Sequence, residues 1–145
     1  MTAPSIKVSI CVPTYRRAHL IGQCIDSCLA QTHRNLEVVI GDDSPDDATE
    51  RLIRRRYGDD PRVRYRRNRP GLGQARNVTS LFAHASGDKI LLLHDDDFLL
   101  EHGVEQLLAL WQRHPGLDAA FGKQYVVDHD GRISRAATRR MNQMF

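Results

Sequence analysis

Residues 1–145 read as an α/β protein, an open and mostly parallel sheet with helices on both faces. Three observations predict it. Short apolar runs that suit buried strands alternate with stretches of helical spacing from one end to the other. Each run stops at proline, glycine or an acidic loop. No repeat, low-complexity tract or linker interrupts the alternation, and the length suits one domain with a real core.

Val8 to Val12 is the first strand, stopped at Pro13, and Leu20 to Leu29 follows with helical spacing. Leu36 to Ile40 is the second, ended by Gly41 and the loop Asp42, Asp43, Ser44, Pro45. That loop starts a helix, since proline is tolerated in a first turn and acids there oppose the helix dipole. Leu52, Ile53 and Tyr57 mark its apolar side. Val63 to Tyr65 is a short third strand, and the loop holding Pro70, Gly71 and Gly73 leads to a helix with Ala75, Val78, Leu81, Phe82 and Ala85. Gly87 is expected to end that helix in the usual glycine manner. Ile90 to Leu93 is the fourth strand, followed by Asp95, Asp96 and Asp97 and then a helix with Val104, Leu107, Leu108 and Trp111. A fifth strand is expected around Ala119 to Val127, with Asp128 to Gly131 as a hairpin turn. Residues 132–145 lack an apolar pattern and are expected as a weakly structured tail.

The net charge is only +3, yet nine arginines fall between Arg51 and Arg69. Such a region suits phosphates, acidic lipid or nucleic acid, or else a solvated helix face beside a charge-guarded edge strand. Cys11, Cys24 and Cys28 form an odd set without a CxxC pair, so they suggest neither a disulfide framework nor a zinc site and fit a reduced compartment. Cys24 and Cys28 lie on an apolar helix stripe as small buried residues. The start of the chain lacks a signal-peptide pattern, and every apolar run is far short of the ~20 residues a membrane span needs. The expected location is cytoplasmic, with peripheral association at the inner face of a membrane left open.

Parallel strands end along one edge, so Thr14 and Tyr15, Asp42 and Asp43, and Asp95 to Asp97 should converge there, where open α/β sheets bind ligands. The set suits an activated nucleotide. Tyr15 offers a face to a base, a carboxylate after the second strand accepts from a base N–H or ribose hydroxyl, and the acidic triplet holds a divalent ion on a diphosphate. Each also has a plain structural reading, as an edge residue or a helix-capping loop.

Five segments, Val8–Arg16 (VSICVPTYR), Ser27–Thr32 (SCLAQT), Val38–Ser44 (VVIGDDS), Gly73–Asn77 (GQARN) and Leu93–Phe98 (LHDDDF), closely resemble, in order, the inverting family 2 glycosyltransferases of the GT-A fold. The likeness runs from about Lys7 to Trp111. It implies a Rossmann-like donor-binding domain in which Pro13, Thr14, Tyr15, Asp42, Asp43, Arg76 and Asp95 meet the nucleotide. It also implies a divalent metal, Mg²⁺ or Mn²⁺, on Asp96 with Asp95 and Asp97, Asp96 foremost. The implied donor is a nucleotide diphosphate sugar and the acceptor a carbohydrate, lipid-linked or protein hydroxyl. The family pattern has an acid where His94 stands; histidine there either ligates a softer ion or replaces a supporting contact, and a hard ion on phosphate favours the second. Family members continue into an acceptor half that carries the catalytic base. No such motif occurs here, so the catalytic residue is unassigned and the chain is expected to be a donor-binding part, truncated at its C-terminus.

Rival readings are weaker. Gly71 to Arg76 lacks the third glycine of a dinucleotide fingerprint and does not follow the first strand. An aspartate nucleophile for phosphoryl transfer would need a threonine and lysine that are missing. A non-catalytic nucleotide- or nucleic-acid-binding module using Arg51 to Arg69 remains the alternative, but those arginines lack interleaved aromatics, so nucleic acid is not expected.

Overall fold

The computed structural model describes residues 5–143. Four strands, β1 (Val8–Thr14), β2 (Leu36–Asp42), β3 (Val63–Arg67) and β4 (Lys89–Leu92), form one sheet in the order β3-β2-β1-β4. Every pairing is parallel, as the alternation required. Between and after them come α1 (Ile21–Leu29), α2 (Ala48–Tyr57), α3 (Gln74–His84), α4 (Gly103–Arg113) and α5 (Arg135–Asn142). The chain divides into two compact units, Met1–Glu105 and Gln106–Phe145, where a single domain was expected. The boundary falls inside α4.

In the first unit, β1 and β2 are buried along their whole length, whereas β3 and β4 alternate between partly buried and exposed residues. Strands covered on both faces must be apolar throughout, and edge strands need not be. Cys11 and Val39 pack with Leu81 and Ala85 of the α3 segment on one face. By the two-residue period of a strand, Ile10, Val12, Val38 and Ile40 point to the other face, and all four are fully buried. α1 and α2 are tied together by the Tyr57 hydroxyl, which donates to the Gly22 carbonyl (3.0 Å) and to Asp26 (2.7 Å). On β4, Ile90 and Leu92 remain 43% and 41% exposed, so the outer strand of the described sheet carries an uncovered apolar face.

Several expectations are corrected. β3 runs to Arg67, past the expected Tyr65. α3 stops at His84 with Ala85 as an extended cap, so Gly87 is not its glycine terminator. Gly87 is needed for close approach instead: a Cβ there would lie 2.7 Å from the Ser9 nitrogen and 2.8 Å from the Lys7 oxygen.

In the second unit no strand forms over residues 119–126; Phe121 and Tyr125 are exposed, and the sole pairing recorded is an antiparallel bridge between Val127 and Ile133. β-forming residues make a strand only where a neighbour accepts their hydrogen bonds. The Asp128 to Gly131 turn does close that bridge, with Gly131 at φ +78. The expected loose tail instead folds as α5, capped by Ser134, whose hydroxyl accepts from the Ala137 N–H at 3.4 Å. No α5 residue is buried, which is why apolar patterning missed it. Asn142 ties the helix back through two bonds to the Gln124 backbone, at 3.1 and 2.9 Å.

At the amino end of the sheet, Glu37 is buried within β2. It accepts from Ser9 (2.6 Å), the Ser86 N–H (2.8 Å), Lys7 (3.2 Å) and Arg64 (3.1 Å). Burial alone would raise its pKa, but the bonds from Ser9, Ser86 and Arg64 outweigh that and hold the carboxyl at about 2. A carboxyl depressed in the folded state stabilises it above the unfolded value of ~4.3, and that contribution is lost as pH falls toward 2. Glu37→Gln is therefore expected to cost ~1–3 kcal/mol at pH 7 and to flatten the fall in stability between about pH 4.5 and 2. Urea unfolding across that range checks both.

Candidate functional site

The parallel register sets Thr14 beside Asp42 and brings the segment after β4 to the same end of the sheet. Thr14 is buried, and its hydroxyl donates to Asp95 Oδ2 at 2.6 Å, which latches the end of β1 to the loop after β4. Asp95 is itself buried. Its other oxygen accepts from Arg17 Nη1 at 3.0 Å, and the same nitrogen lies 2.9 Å from Asp96 Oδ2. Arg17 is held more firmly protonated by these bonds and charges, the Asp95 hydrogen bond foremost. Partial desolvation, with Asp96 and Asp95 nearby, pushes the Asp97 carboxyl above the usual carboxylate range.

After β2, the two aspartates part company. Asp42 is fully buried, accepts from the Ser44 N–H (2.8 Å) and the Tyr65 hydroxyl (2.7 Å), and serves the fold. Burial and the bond to Asp42 raise the Tyr65 pKa, so this hydroxyl stays a donor. Asp43 turns the other way. Its oxygens accept from Asn68 Nδ2 (2.8 Å) and the Gly73 N–H (2.7 Å), fixing the loop that opens α3. Asn68 also reaches Asn77 Oδ1 (3.1 Å), and Asn77 donates to the Gly41 carbonyl (2.8 Å). Gly41 has no alternative, because a Cβ would collide with the Asn77 side chain.

These groups surround a cleft of about 940 Å³ lined by Pro13, Thr14, Tyr15, Asp43 and Asp95 among the expected residues. Arg16, Arg17, Arg67 and Arg69 line it too, Arg17 paired with Asp95 and Asp96 and Arg67 and Arg69 with Glu50, and this arginine-rich lining suits an anion. Tyr15 is 54% exposed, and the Arg16 guanidinium stands 5.2 Å from its ring centre. Arg16 has φ +57, a conformation disfavoured for a side chain of this size, and its N–H donates to Ser44 Oγ at 2.8 Å.

Of the other expected site residues, Asp42 lies behind the cleft, Arg76 is exposed on α3 outside its lining, and Asp96 joins it only through Arg17. Asp97 is exposed outside the lining, and His94 lines it beside Asp95. Sequence reasoning gave no role to Arg16, Arg17, Asn68 and Asn77, all of which line the cleft. Arg16 and Asn77 stood within quoted segments without a role, Arg17 directly followed one, and Asn68 gave no signal.

Among the described residues no three His, Cys, Asp or Glu side chains are grouped to hold a metal ion. Two carboxylates nevertheless converge on one positive nitrogen. That donor set fits a hard divalent ion of the Mg²⁺ type, which takes one or two carboxylates and completes its shell with water and substrate phosphates. The cysteines stay outside this chemistry. Burial, with Glu37, pushes Cys11 up to about 12, and Cys24 is raised by its bond to Cys28 and by burial, so neither is a ready thiolate.

The basic stretch is largely neutralised. Arg51 pairs with Asp47, Arg54, Arg67 and Arg69 with Glu50, Arg56 with Asp26, Arg62 with Asp60 and Arg64 with Glu37. No observation favours a nucleic-acid module.

The cleft lies at the carboxyl edge of a parallel α/β sheet and is lined by Tyr15 and four arginines. The family model for glycosyl transferase family 2 matches residues 9–144, and the chain belongs to that family. It is 35% identical over 126 residues to a chondroitin synthase of Pasteurella multocida, covering 87% of this chain and 13% of that protein. It is 29% identical over 130 residues to the GalNAc(5)-diNAcBac-PP-undecaprenol beta-1,3-glucosyltransferase of Campylobacter jejuni, covering 89% and 41%. The chain thus spans well under half the length of these relatives. Among solved structures, S. aureus TarS 1-349 in complex with UDP superposes with a TM-score of 0.68 at 20% identity, covering 97% of this chain and 50% of that one. The mannosyltransferase PcManGT of Pyrobaculum calidifontis, in complex with GDP-Man and Mn2+, gives 0.65 at 23%, covering 83% and 35%. These likenesses show the GT-A fold.

Asp43 accepts two bonds to one loop, so Asp43→Ala is expected to lower stability by ~2–4 kcal/mol. It should also speed amide exchange over residues 68–74 more than elsewhere in the first unit. Hydrogen–deuterium exchange checks the location and thermal unfolding the size.

Proposed function

We propose that this chain binds a nucleotide diphosphate sugar as the donor-binding part of an inverting, metal-dependent glycosyltransferase that transfers the sugar to an acceptor hydroxyl. The observation that carries the reading is the convergence of Tyr15, Asp43, Asp95 and four arginines on one cleft at the carboxyl edge of β1 and β2. The half-exposed Tyr15 ring offers a stacking face to the base. Asp43 holds the loop over residues 68–73 and retains acceptor capacity on the cleft side for a base N–H or ribose hydroxyl. Arg16 and Arg17 orient the diphosphate by charge-assisted bonds, while Arg67 and Arg69 remain paired with Glu50. Asp96, with Asp95 behind it, holds the Mg²⁺ or Mn²⁺ of the complex, which supplies charge stabilisation on the departing diphosphate. Asp97 stands third in that acidic run, and Arg76 is exposed on α3 outside the cleft lining. The neighbours in complex with UDP and with GDP-Man and Mn2+ support the donor class and the ion. The relatives' names point to acceptors that are carbohydrate chains or lipid-linked sugars. The reading fits a cytoplasmic enzyme, and no helix among the described residues is long and apolar enough to cross a membrane.

Titration calorimetry with UDP, GDP and TDP in the presence of Mn²⁺ tests the reading directly. One of them is expected to bind the wild-type chain. Asp96→Asn is expected to weaken that binding ~10-fold or more while leaving thermal stability nearly unchanged, since it removes one ligand and one repelling charge. Equal binding by variant and wild type would remove Asp96 from the metal.

A second expectation concerns turnover. Asp43 and Asp95 are committed to bonds within the fold, and Asp128 accepts from the Asp130 and Arg132 N–H groups in its turn, at 2.9 Å each. The 145-residue chain alone is therefore expected to transfer sugar at a rate ~10²- to 10⁴-fold below that of an enzyme with a placed base. Radiolabelled donors with a broad acceptor set measure it, and robust transfer would make Asp128 and Asp130 the first residues to mutate.

A further inference from the structure

Arg17 occupies a singular position in the cleft. A single nitrogen neutralises Asp95 and Asp96, at 3.0 and 2.9 Å, and the side chain has no other recorded bond among the described residues. The three partners are unequal. Asp95 is 5% exposed and is also held by Thr14, whereas Arg17 is 46% exposed and Asp96 47%. Asp95 is thus anchored from below while its counter-charge sits at the surface, on a side chain that lines the same cavity as Arg16, Arg67 and Arg69. A guanidinium stays charged in a protein, and this one is open to solvent, so it can part from the carboxylates at small cost, and a diphosphate entering the cleft offers it a second anionic partner.

We propose that Arg17 is a removable internal cation: it neutralises Asp95 and Asp96 while the cleft is empty, yields that place to the divalent ion when a donor diphosphate enters, and turns its guanidinium to the phosphates. This rests on the donor-binding reading above. In the absence of nucleotide a metal ion competes with Arg17 for the same oxygens and binds weakly. A diphosphate gives Arg17 another partner, so each ligand strengthens the other by the same factor. Arg17 therefore sets the order of binding: nucleotide and metal enter together, and metal alone does not fill the site at low concentration.

The test uses the full chain with Arg17→Ala and Arg17→Lys. Mn²⁺ is titrated without nucleotide by loss of the free-ion electron paramagnetic resonance signal, and UDP, GDP and TDP are titrated calorimetrically at saturating Mn²⁺. Arg17→Ala is expected to bind Mn²⁺ alone ~3- to 10-fold more tightly, because an exposed competing pair has been removed. It should bind the nucleoside diphosphate ~10- to 100-fold more weakly, because a charge-assisted bond has been lost. Arg17→Lys, which keeps the charge without the planar fork, should fall between on both measures, and it carries the test if thermal unfolding shows that the alanine variant does not fold. Metal-alone affinity that is unchanged or weaker overturns the proposal. Unchanged nucleotide affinity overturns the transfer of Arg17 to the phosphates. A wild-type chain that binds none of the three nucleotides with Mn²⁺ overturns the donor-binding reading, and this inference with it.

Discussion

The site depends first on β1 being paired on both edges. β1 is buried over its full length between β2 and β4, so its register fixes where both neighbours end. A one-residue slip would turn Val38 and Ile40 out of the core, a cost that makes the register unambiguous. The same register carries Thr14 to the place where its hydroxyl meets Asp95. The cleft is thus a by-product of core packing: apolar burial sets the strand ends, and the polar residues just beyond them inherit their relative positions.

A second layer of order is polar. Asp42 and Asp43 are adjacent in sequence, yet the pleat sends one into the fold and the other to the cleft loop. Asn68 and Asn77 complete the support behind the cleft by spending their amides on Asp43, on each other and on the Gly41 carbonyl. Buried amides are tolerated because they are bonded, and a bonded network holds its members in one arrangement. This rigidity explains how a loop rich in glycine and proline forms one wall of an open cleft.

Much of this was legible in the residues. Four apolar runs and their intervening helices were readable because parallel central strands leave an unbroken apolar record, and Tyr15, Asp43 and Asp95 because they follow those runs directly. Arg17 was not legible as a partner of the acid triplet, since nearly eighty residues separate them and only the sheet joins them. Asp42 could not be told from Asp43 without knowing which way the pleat turned. Residues 119–142 misled in both directions: Ala119 to Val127 has strand-like composition without a partner strand, and α5 is held by a serine cap and surface bonds with no apolar stripe to announce it.

β4 has a consequence of another kind. An outer strand bearing half-open Ile90 and Leu92 is a template on which another extended segment can add, and such edges drive self-association. The chain limits the hazard by brevity and by charge. β4 is only four residues long, begins at Lys89 and gives way within a few positions to three consecutive aspartates. Any strand laid along it would soon run its own backbone into that acidic block. The aspartates that follow β4 thereby suit a gatekeeper's place at the end of an edge strand, and neutralising them is expected to change solubility as well as chemistry.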